Sequence, residues 1–308
     1  MNRLTRRQSV ANSAGMDDAA PATRAIEAET APCRLVRPLA TATPVICASP
    51  HSGRVYPAAM MAASLLDQRA IRRSEDAHVD GLIEGAPGHG HVLLAAEFAR
   101  AFLDVNREPW ELDPAMFEDE LPSFARARTA RVAAGLGAIA RIVCEGQEIY
   151  ARKLTFAEAE ARVRAVHQPY HAALAALIGE TKARHGLAVL IDWHSMPAAA
   201  ARGRAGEVCD MVLGDRFGSA CAAPIADLVE RRLTDMGYRV GRNAPYAGGY
   251  TTEHYGRPGR GVHALQVEIN RALYYDETAL ELTPGFDALR ADIERLFAAL
   301  ADADWRGV

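Results

Sequence analysis

Four apolar segments of the sequence carry side chains that could perform acid–base or metal chemistry. These segments are "PVICASPHSG" with His51, "AFLDVNR" with Asp104, Asn106 and Arg107, "AVLIDWHS" with Asp192 and His194, and "HALQVEIN" with Glu268. In open α/β sheets, ligands bind beyond the carboxyl ends of the strands. We therefore expect these polar side chains to meet at one edge of a sheet.

The histidines and carboxylates of these segments are of the types that bind zinc with one coordination position open. His51 and His194 are the candidate imidazole ligands, and Asp192 lies two residues before His194, on the same face of a strand, where it could orient that ring or share the site. "EDAH" adds Asp76 and His78. A structural role at a strand end is the alternative for His51, and a helix cap or an exposed turn is the alternative for Asp76 and His78.

Glu268 is a carboxylate in the middle of "ALQVEI". A buried unpaired charge is costly, so this group must be paired, solvated in a cavity or raised in pKa. A salt bridge with an arginine is one explanation. The other is a general base that takes a proton from a water molecule bound to zinc, whose pKa falls from about 15.7 to about 7, and passes it to a leaving amine.

Asn106 and Arg107 together could hold a substrate carboxylate, because guanidinium matches a carboxylate in two-point contact and an amide can donate beside it. A solvated surface arginine is the alternative. The long glycine-rich segment 244–261 is predicted to cover the substrate and carries four further candidate binding residues, Tyr250, Thr251, His254 and Arg257. GxSxG, GxGxxG, P-loop and HExxH motifs do not occur, and His167 and His171 are expected to pack in the core or at the surface.

The elements that must position these residues form an α/β pattern of short apolar runs alternating with helical segments. Strands are predicted at 44–48, 92–97, 101–105, 187–192, 210–213, 238–241 and 263–269, and helices at 58–72, 78–85, 156–184, 217–236 and 285–301. Thr155 and Glu158 predict a capping box, and Pro169 is predicted to kink or divide the helix that follows. We expect residues 1–34 to form a flexible tail and residues 35–308 to form one catalytic domain.

Composition excludes several classes of protein. A formal charge of -4 argues against nucleic-acid binding, and no segment approaches the eighteen apolar residues of a membrane span. Five scattered cysteines without a CxxC pair predict reduced thiols and a cytoplasmic protein. The sequence leaves the oligomeric state open.

The assembled motifs resemble the N-formylglutamate amidohydrolase family over roughly residues 40 to 300. The matching segments are "SPHSGRVYP", "EDAHVDGL", "FARAFLDVNREP", "HQPYHAAL", "VLIDWHSMP", "DMVLGDRFGSAC" and "GGYTTEHYGRPGRGVHALQVEINRALY". The resemblance implies a single α/β domain similar to the zinc carboxypeptidase fold, with a central mixed, largely parallel sheet flanked by helices. It implies hydrolysis of N-formyl-L-glutamate to formate and L-glutamate, a step of histidine degradation.

The resemblance also assigns roles within the site. It implies His51 and His194 as zinc ligands with Asp76 as the third ligand, Glu268 as base, and Asn106 with Arg107 as carboxylate clamp. The zinc carboxypeptidases place a glutamate three residues after the first histidine, and Arg54 stands there in this chain. His78 and Asp192 therefore remain competitors for the third ligand, and another divalent first-row metal could replace zinc. Cleavage of another N-acyl or formyl amide, or binding of small acids without catalysis, are the alternative functions.

Overall fold

A computed structural model describes residues 31–39, 42–143 and 146–306. Its centre is a seven-stranded sheet in the order β1-β3-β2-β4-β7-β5-β6. The strands are β1 (Cys33–Val36), β2 (Val45–Ser49), β3 (Val92–Ala96), β4 (Ala188–Met196), β5 (Met211–Gly214), β6 (Val240–Arg242) and β7 (Val262–Asn270). The central strands β3, β2, β4 and β7 are parallel, whereas β1 and β5 run antiparallel to their neighbours β3 and β7. This mixed, largely parallel α/β sheet confirms the predicted fold class.

Two layers of helices cover the sheet. They are α1 (Ala58–Ala62), α2 (Gln68–Ile71), α3 (Val79–Leu82), α4 (Ala130–Ala133), α5 (Phe156–Arg162), α6 (Gln168–His185), α7 (Ala223–Asp235), α8 (Tyr250–Tyr255) and α9 (Gly285–Ala301). A two-stranded ribbon of β8 (Tyr275–Asp276) and β9 (Glu281–Leu282) follows the sheet. Ile46 and Ala48 of β2 pack in the layer of α6, and Val45 and Cys47 pack in the layer of α7 and α9. This alternation is why the buried strands are apolar on both faces.

The longest strand pairing joins β4 and β7, which run in parallel register from Ala188 opposite Val262 to Met196 opposite Asn270. On β4, Val189 and Ile191 belong to the α7–α9 core layer, so the alternate residues face the α6 layer. Asp192 and His194 therefore share one face of the strand, as the sequence predicted. The register places Glu268 of β7 on that same face.

The predicted strand at 101–105 is wrong. The backbone there forms a turn in which the amides of Phe102 and Leu103 both donate to the carbonyl of Ala99. Its apolar side chains are nevertheless buried in the α6 core layer. A short apolar run has the same appearance in a buried turn as in a buried strand, which explains the error.

Helix boundaries differ from the predictions in several places. Each predicted helix at 58–72 and 78–85 is shorter in the structure: residues 58–72 contain the two helices α1 and α2, and residues 78–85 contain α3. Helix α7 begins at Ala223 rather than at residue 217. Neither β1 nor α8 was predicted. The capping box of α5 is confirmed, since the amide of Glu158 donates to Oγ1 of Thr155 and the amide of Thr155 donates to Oε2 of Glu158. A π-helical turn, Val163–His167, ends two residues before Pro169, and such turns are a recognised cause of a local kink in a helix.

The structure bears on the predicted tail, on the cysteines and on membrane-spanning segments as follows. The predicted tail lies mostly in residues 1–30, outside the described residues, and β1 begins at Cys33. Cys33, Cys47, Cys209 and Cys221 are free thiols, and Cys144 lies outside the described residues. No helix of the described part of the chain is long and apolar enough to span a membrane.

Candidate metal and substrate site

The site lies at the carboxyl ends of β2, β4 and β7, which are neighbours in the sheet. His51 follows β2 by two residues, His194 lies near the end of β4, and Glu268 of β7 is directly opposite His194. Asp76 comes from the segment before α3, and its amide donates to the carbonyl of His51 at 3.1 Å. Parallel strands thus bring residues from distant parts of the sequence to one edge, as expected for an open α/β sheet.

Three of the predicted metal ligands converge at this edge. The Nδ1 atoms of His51 and His194 are 3.0 Å apart, and Oδ2 of Asp76 lies 3.3 Å from Nδ1 of His51 and 3.0 Å from Nδ1 of His194. All three side chains are buried. Four-coordinate zinc with bonds of about 2.0–2.1 Å holds its ligand atoms about 3.3 Å apart, so this triangle has nearly the dimensions of one face of such a site.

The other nitrogen of each histidine ring contacts a carboxylate. Nε2 of His51 donates to Oδ1 of Asp104 at 2.7 Å, and Nε2 of His194 donates to Oδ2 of Asp192 at 3.0 Å. In a neutral imidazole whose Nε2 carries the proton, Nδ1 presents a lone pair. Two lone pairs and the carboxylate of Asp76 then face one another, an arrangement that a cation between them would stabilise. The residues present fit a divalent metal ion with carboxylates behind both histidines.

The electrostatic environment of the cluster also favours positive charge. Burial raises the pKa of Asp76, but hydrogen bonds with His194 and His51 outweigh it and hold the pKa well below its usual value. Burial lowers the pKa of His194, but Asp192 and Asp76 outweigh it and raise the pKa well above its usual value. The cluster therefore stabilises a negative Asp76 beside a cationic group.

The two competitors for the third ligand lie outside this triangle. His78 has a left-handed backbone conformation (φ 57°) and its ring lies near Tyr275 and Phe286. Asp192 lies behind His194, at Nε2 rather than at Nδ1. Asp76 is the carboxylate that the fold brings to both Nδ1 atoms.

Glu268 lies beside the cluster with a strongly shifted pKa. Burial raises the pKa, and although His194 lowers it, the result is about 7. Nε2 of Gln266 donates to Oε1 of Glu268 at 2.8 Å, and no lysine or arginine among the described residues forms an ion pair with it. A carboxylate that exchanges its proton near neutral pH is suited to general acid–base chemistry.

A cavity of about 560 Å³ opens onto the cluster. Besides the candidate ligands and Glu268, it is lined by Arg100, Arg107, Arg271 and Tyr246. Nη2 of Arg100 donates to Oδ2 of Asp104 at 2.8 Å, and Nη2 of Arg271 donates to Oδ1 of Asp76 at 3.1 Å. These arginines make the cavity attractive to carboxylates.

Three residues that line the cavity were not predicted from the sequence: Arg100, Arg271 and Tyr246. Arg271 directly follows β7, so the rule that identified His51 at the end of β2 could have found it. Arg100 precedes the predicted strand at 101–105 and is brought to the cavity by the turn that replaces that strand. Tyr246 belongs to the glycine-rich segment 244–261, in which Tyr250 was predicted to bind the substrate instead.

The predicted clamp residues Asn106 and Arg107 both line the cavity, but other groups of the protein also bind them. Oδ1 of Asn106 accepts the amide of Thr251 at 2.7 Å, and its Nδ2 lies 3.4 Å from Oδ2 of Asp192 and donates to it. Arg107 donates from Nε to the carbonyl of Leu136 and from Nη1 to the carbonyl of Asn106. Its Nη2 atom lies 3.9 Å from Oδ2 of Asp104.

The four candidates of the glycine-rich segment lie elsewhere. Tyr250, His254 and Arg257 line a neighbouring cleft of about 600 Å³, which shares Arg131 with the cavity. Thr251 is buried behind Asn106. The structure therefore places none of these four side chains in the cavity that contains Glu268.

Several known proteins with similar sequences or structures are named for N-formylglutamate. The family model for N-formylglutamate amidohydrolase matches residues 43–275. N-formylglutamate deformylases of Pseudomonas aeruginosa and Pseudomonas putida are 30% and 28% identical over 241 and 239 residues, which cover 77% and 76% of this chain and 84% and 83% of theirs. The crystal structure of an N-formylglutamate amidohydrolase from Ralstonia eutropha JMP134 is 38% identical with a TM-score of 0.85, covering 91% of this chain and 100% of that one.

Proposed function

This chain belongs to the N-formylglutamate amidohydrolase family, and from that membership we propose that it is a metal-dependent hydrolase of N-formyl-L-glutamate. The products are formate and L-glutamate. The single observation that supports the metal-dependent mechanism is the buried triangle of His51, Asp76 and His194 beside Glu268. The resemblance assigns the reaction to histidine degradation, and a cytoplasmic location is the corresponding prediction.

In the proposed reaction, one molecule of water adds to the formyl carbon and the amide C–N bond breaks. A divalent metal ion, when held by His51, Asp76 and His194, would polarise the formyl carbonyl and lower the pKa of the attacking water. Glu268 removes a proton from that water and delivers it to the departing nitrogen, which leaves as the amine of glutamate. The pKa of about 7 suits both the acceptance and the return of this proton.

The arginines of the cavity complete the proposed mechanism. Arg100 lies against Asp104 and Asp76 at distances of 2.8 and 3.5 Å, with its guanidinium close to the candidate ligands. In this position it would stabilise negative charge that develops on the formyl oxygen. Arg107, whose Nη2 lies 3.9 Å from Oδ2 of Asp104, and Arg271, whose Nη2 donates to Oδ1 of Asp76, would hold the two carboxylates of the substrate.

One feature of the cavity favours a broader substrate range as a second candidate. Leu136, Ala140 and Ile142 form an apolar wall, and neither a formyl group nor a carboxylate needs such a surface. The same site could therefore cleave another N-acyl amide of a small dicarboxylate.

A substrate panel tests both candidates. The purified protein is assayed with N-formyl-L-glutamate, N-acetyl-L-glutamate and N-formyl-L-leucine, and the acid and the amine released are both quantified. Faster turnover of N-formyl-L-glutamate than of the other two supports the main proposal, whereas preference for the acetyl compound supports the second candidate. Tight binding of glutamate without any turnover would support the non-catalytic alternative.

A further inference from the structure

Two histidines that have no role in the proposed reaction lie against the segment of the clamp. His167 ends the π-helical turn and His171 lies one helical turn later in α6, so their rings are neighbours with centroids 4.2 Å apart. His167 is buried and His171 is partly buried. Both rings contact the segment Val105–Arg107.

Each ring holds a backbone carbonyl of that segment. Nε2 of His171 donates to the carbonyl of Val105 at 2.7 Å, and Nε2 of His167 donates to the carbonyl of Arg107 at 3.0 Å. The carbonyl between them, that of Asn106, accepts Nη1 of Arg107 at 2.9 Å. All three consecutive carbonyls are therefore bound, and the two histidines flank the residue that contacts the His194–Asp192 pair.

The environment keeps these donors uncharged. Burial lowers the pKa of His171 to about 3 and also lowers the pKa of His167. A neutral imidazole whose Nε2–H is fixed by a carbonyl is a constant donor near pH 7. It also adds no positive charge beside Arg107, so no neighbouring cation of this pair competes with the guanidinium for a carboxylate.

We propose that His167 and His171 are positioning residues that fix the backbone of Val105–Arg107 and thereby aim Arg107 into the cavity and Asn106 at the His194–Asp192 pair. The role in catalysis rests on the proposed function, but the role in binding a dicarboxylate can be measured separately. A misplaced clamp weakens substrate binding even when every side chain that touches the substrate is present.

The test compares loss of the donor with its replacement. His167→Leu and His171→Leu remove the hydrogen bond, and His167→Gln and His171→Gln keep an amide N–H at a similar reach. His91 provides a matched control, because it is also buried and its Nε2 lies 3.0 Å from a backbone carbonyl, that of Phe297, among α9 residues of the other core layer. The measured quantities are the Kd of glutarate by calorimetry, the KM and kcat with N-formyl-L-glutamate, and the Tm.

We expect both leucine variants to raise the Kd and the KM about tenfold, the scale of one lost buried hydrogen bond, and both glutamine variants to stay within about threefold of the original protein. His91→Leu should lower the Tm and leave the Kd unchanged. The proposal would be overturned if the leucine variants had a lower Tm but the original Kd and KM. It would also be overturned if the glutamine variants raised the Kd and the KM as much as the leucine variants do.

A second comparison covers the case in which the leucine variants fail to fold. His167→Asn carries the same amide as His167→Gln on a shorter side chain, which does not reach the carbonyl of Arg107. We therefore expect His167→Asn to raise the Kd of glutarate and His167→Gln to leave it nearly unchanged. Equal Kd values for the two variants would also overturn the proposal. A failure of the proposed function gives a different result: the original protein would release no formate, whereas the positioning role is measured by the Kd of glutarate.

Discussion

Glu268 of β7 and His194 of β4 are directly opposite each other in a parallel register that continues for nine residue pairs. This pairing places a carboxylate of raised pKa beside a histidine whose Nδ1 faces a second histidine and an aspartate. The separation between the candidate base and the candidate ligand His194 is therefore determined by two buried strands rather than by loops. Sites on such elements are held more accurately than sites on loops.

Glu268→Gln should reduce kcat by about 10²–10⁴-fold, because the amide cannot accept and return the proton. Metal content should stay at the original level, since the three candidate ligands are untouched. Exposed Glu281 supplies the control substitution, Glu281→Gln. Near-normal turnover of Glu268→Gln with bound metal would show that another group is the base.

The pH dependence of kcat/KM should report the ionisation of Glu268. Only the carboxylate form accepts a proton, so kcat/KM rises with pH and levels off above the pKa of this group. Burial raises that pKa to about 7, and a bound dication lowers it, so the midpoint should lie at or below about 7. If kcat/KM of Glu268→Gln rose with pH in the same way, with the same midpoint, the assignment of this ionisation to Glu268 would be wrong.

Removal of the carboxylates behind the histidines should weaken metal binding. Asp104→Asn and Asp192→Asn keep the size of the side chains but lose the negative charge that faces Nε2 of His51 and His194. Metal affinity, measured by competition with a chelating dye, should fall about 10–100-fold in each variant. Asp210→Asn, at an exposed ion pair with Arg239, should leave it unchanged.

The capping box of α5 gives a prediction for stability. Arg152, together with the amide of Thr155, lowers the pKa of Glu158 to about 2 against burial, from a usual 4.5. Because the pKa is lowered on folding, the ionised group stabilises the folded state above pH 4.5, and this contribution is lost as the pH falls toward 2.

Glu158→Gln should therefore lower the free energy of unfolding at pH 7, and the difference from the original protein should shrink as the pH falls below 4.5. Thr155→Ala should cost about 1 kcal/mol. Urea denaturation at pH 7 and pH 4 measures both effects. A Glu158→Gln deficit that grows at the lower pH would refute the linkage.

Most of the sheet could be predicted from the sequence because its strands are continuous apolar runs. His51, His194 and Glu268 could be predicted as site residues because ligands bind beyond the carboxyl ends of strands in open α/β sheets. The sequence could not locate Arg100, whose approach to the cavity depends on a turn that resembles a strand in sequence. Nor could it separate Tyr246 from Tyr250, because both belong to one glycine-rich segment in which α8 turns Tyr250 toward the neighbouring cleft. The proposed roles of His167 and His171 depend on contacts with residues 60 and 66 positions away, which a local pattern does not reveal.

The most direct test of the central claim combines metal analysis with formate release. The protein is purified without added metal, its divalent metal content is measured, and formate production from N-formyl-L-glutamate is followed before and after chelation and after return of the metal. We predict about one divalent ion per chain, loss of formate release on chelation and recovery when zinc or the resident metal is restored. Full activity in a protein shown to contain no metal would contradict it.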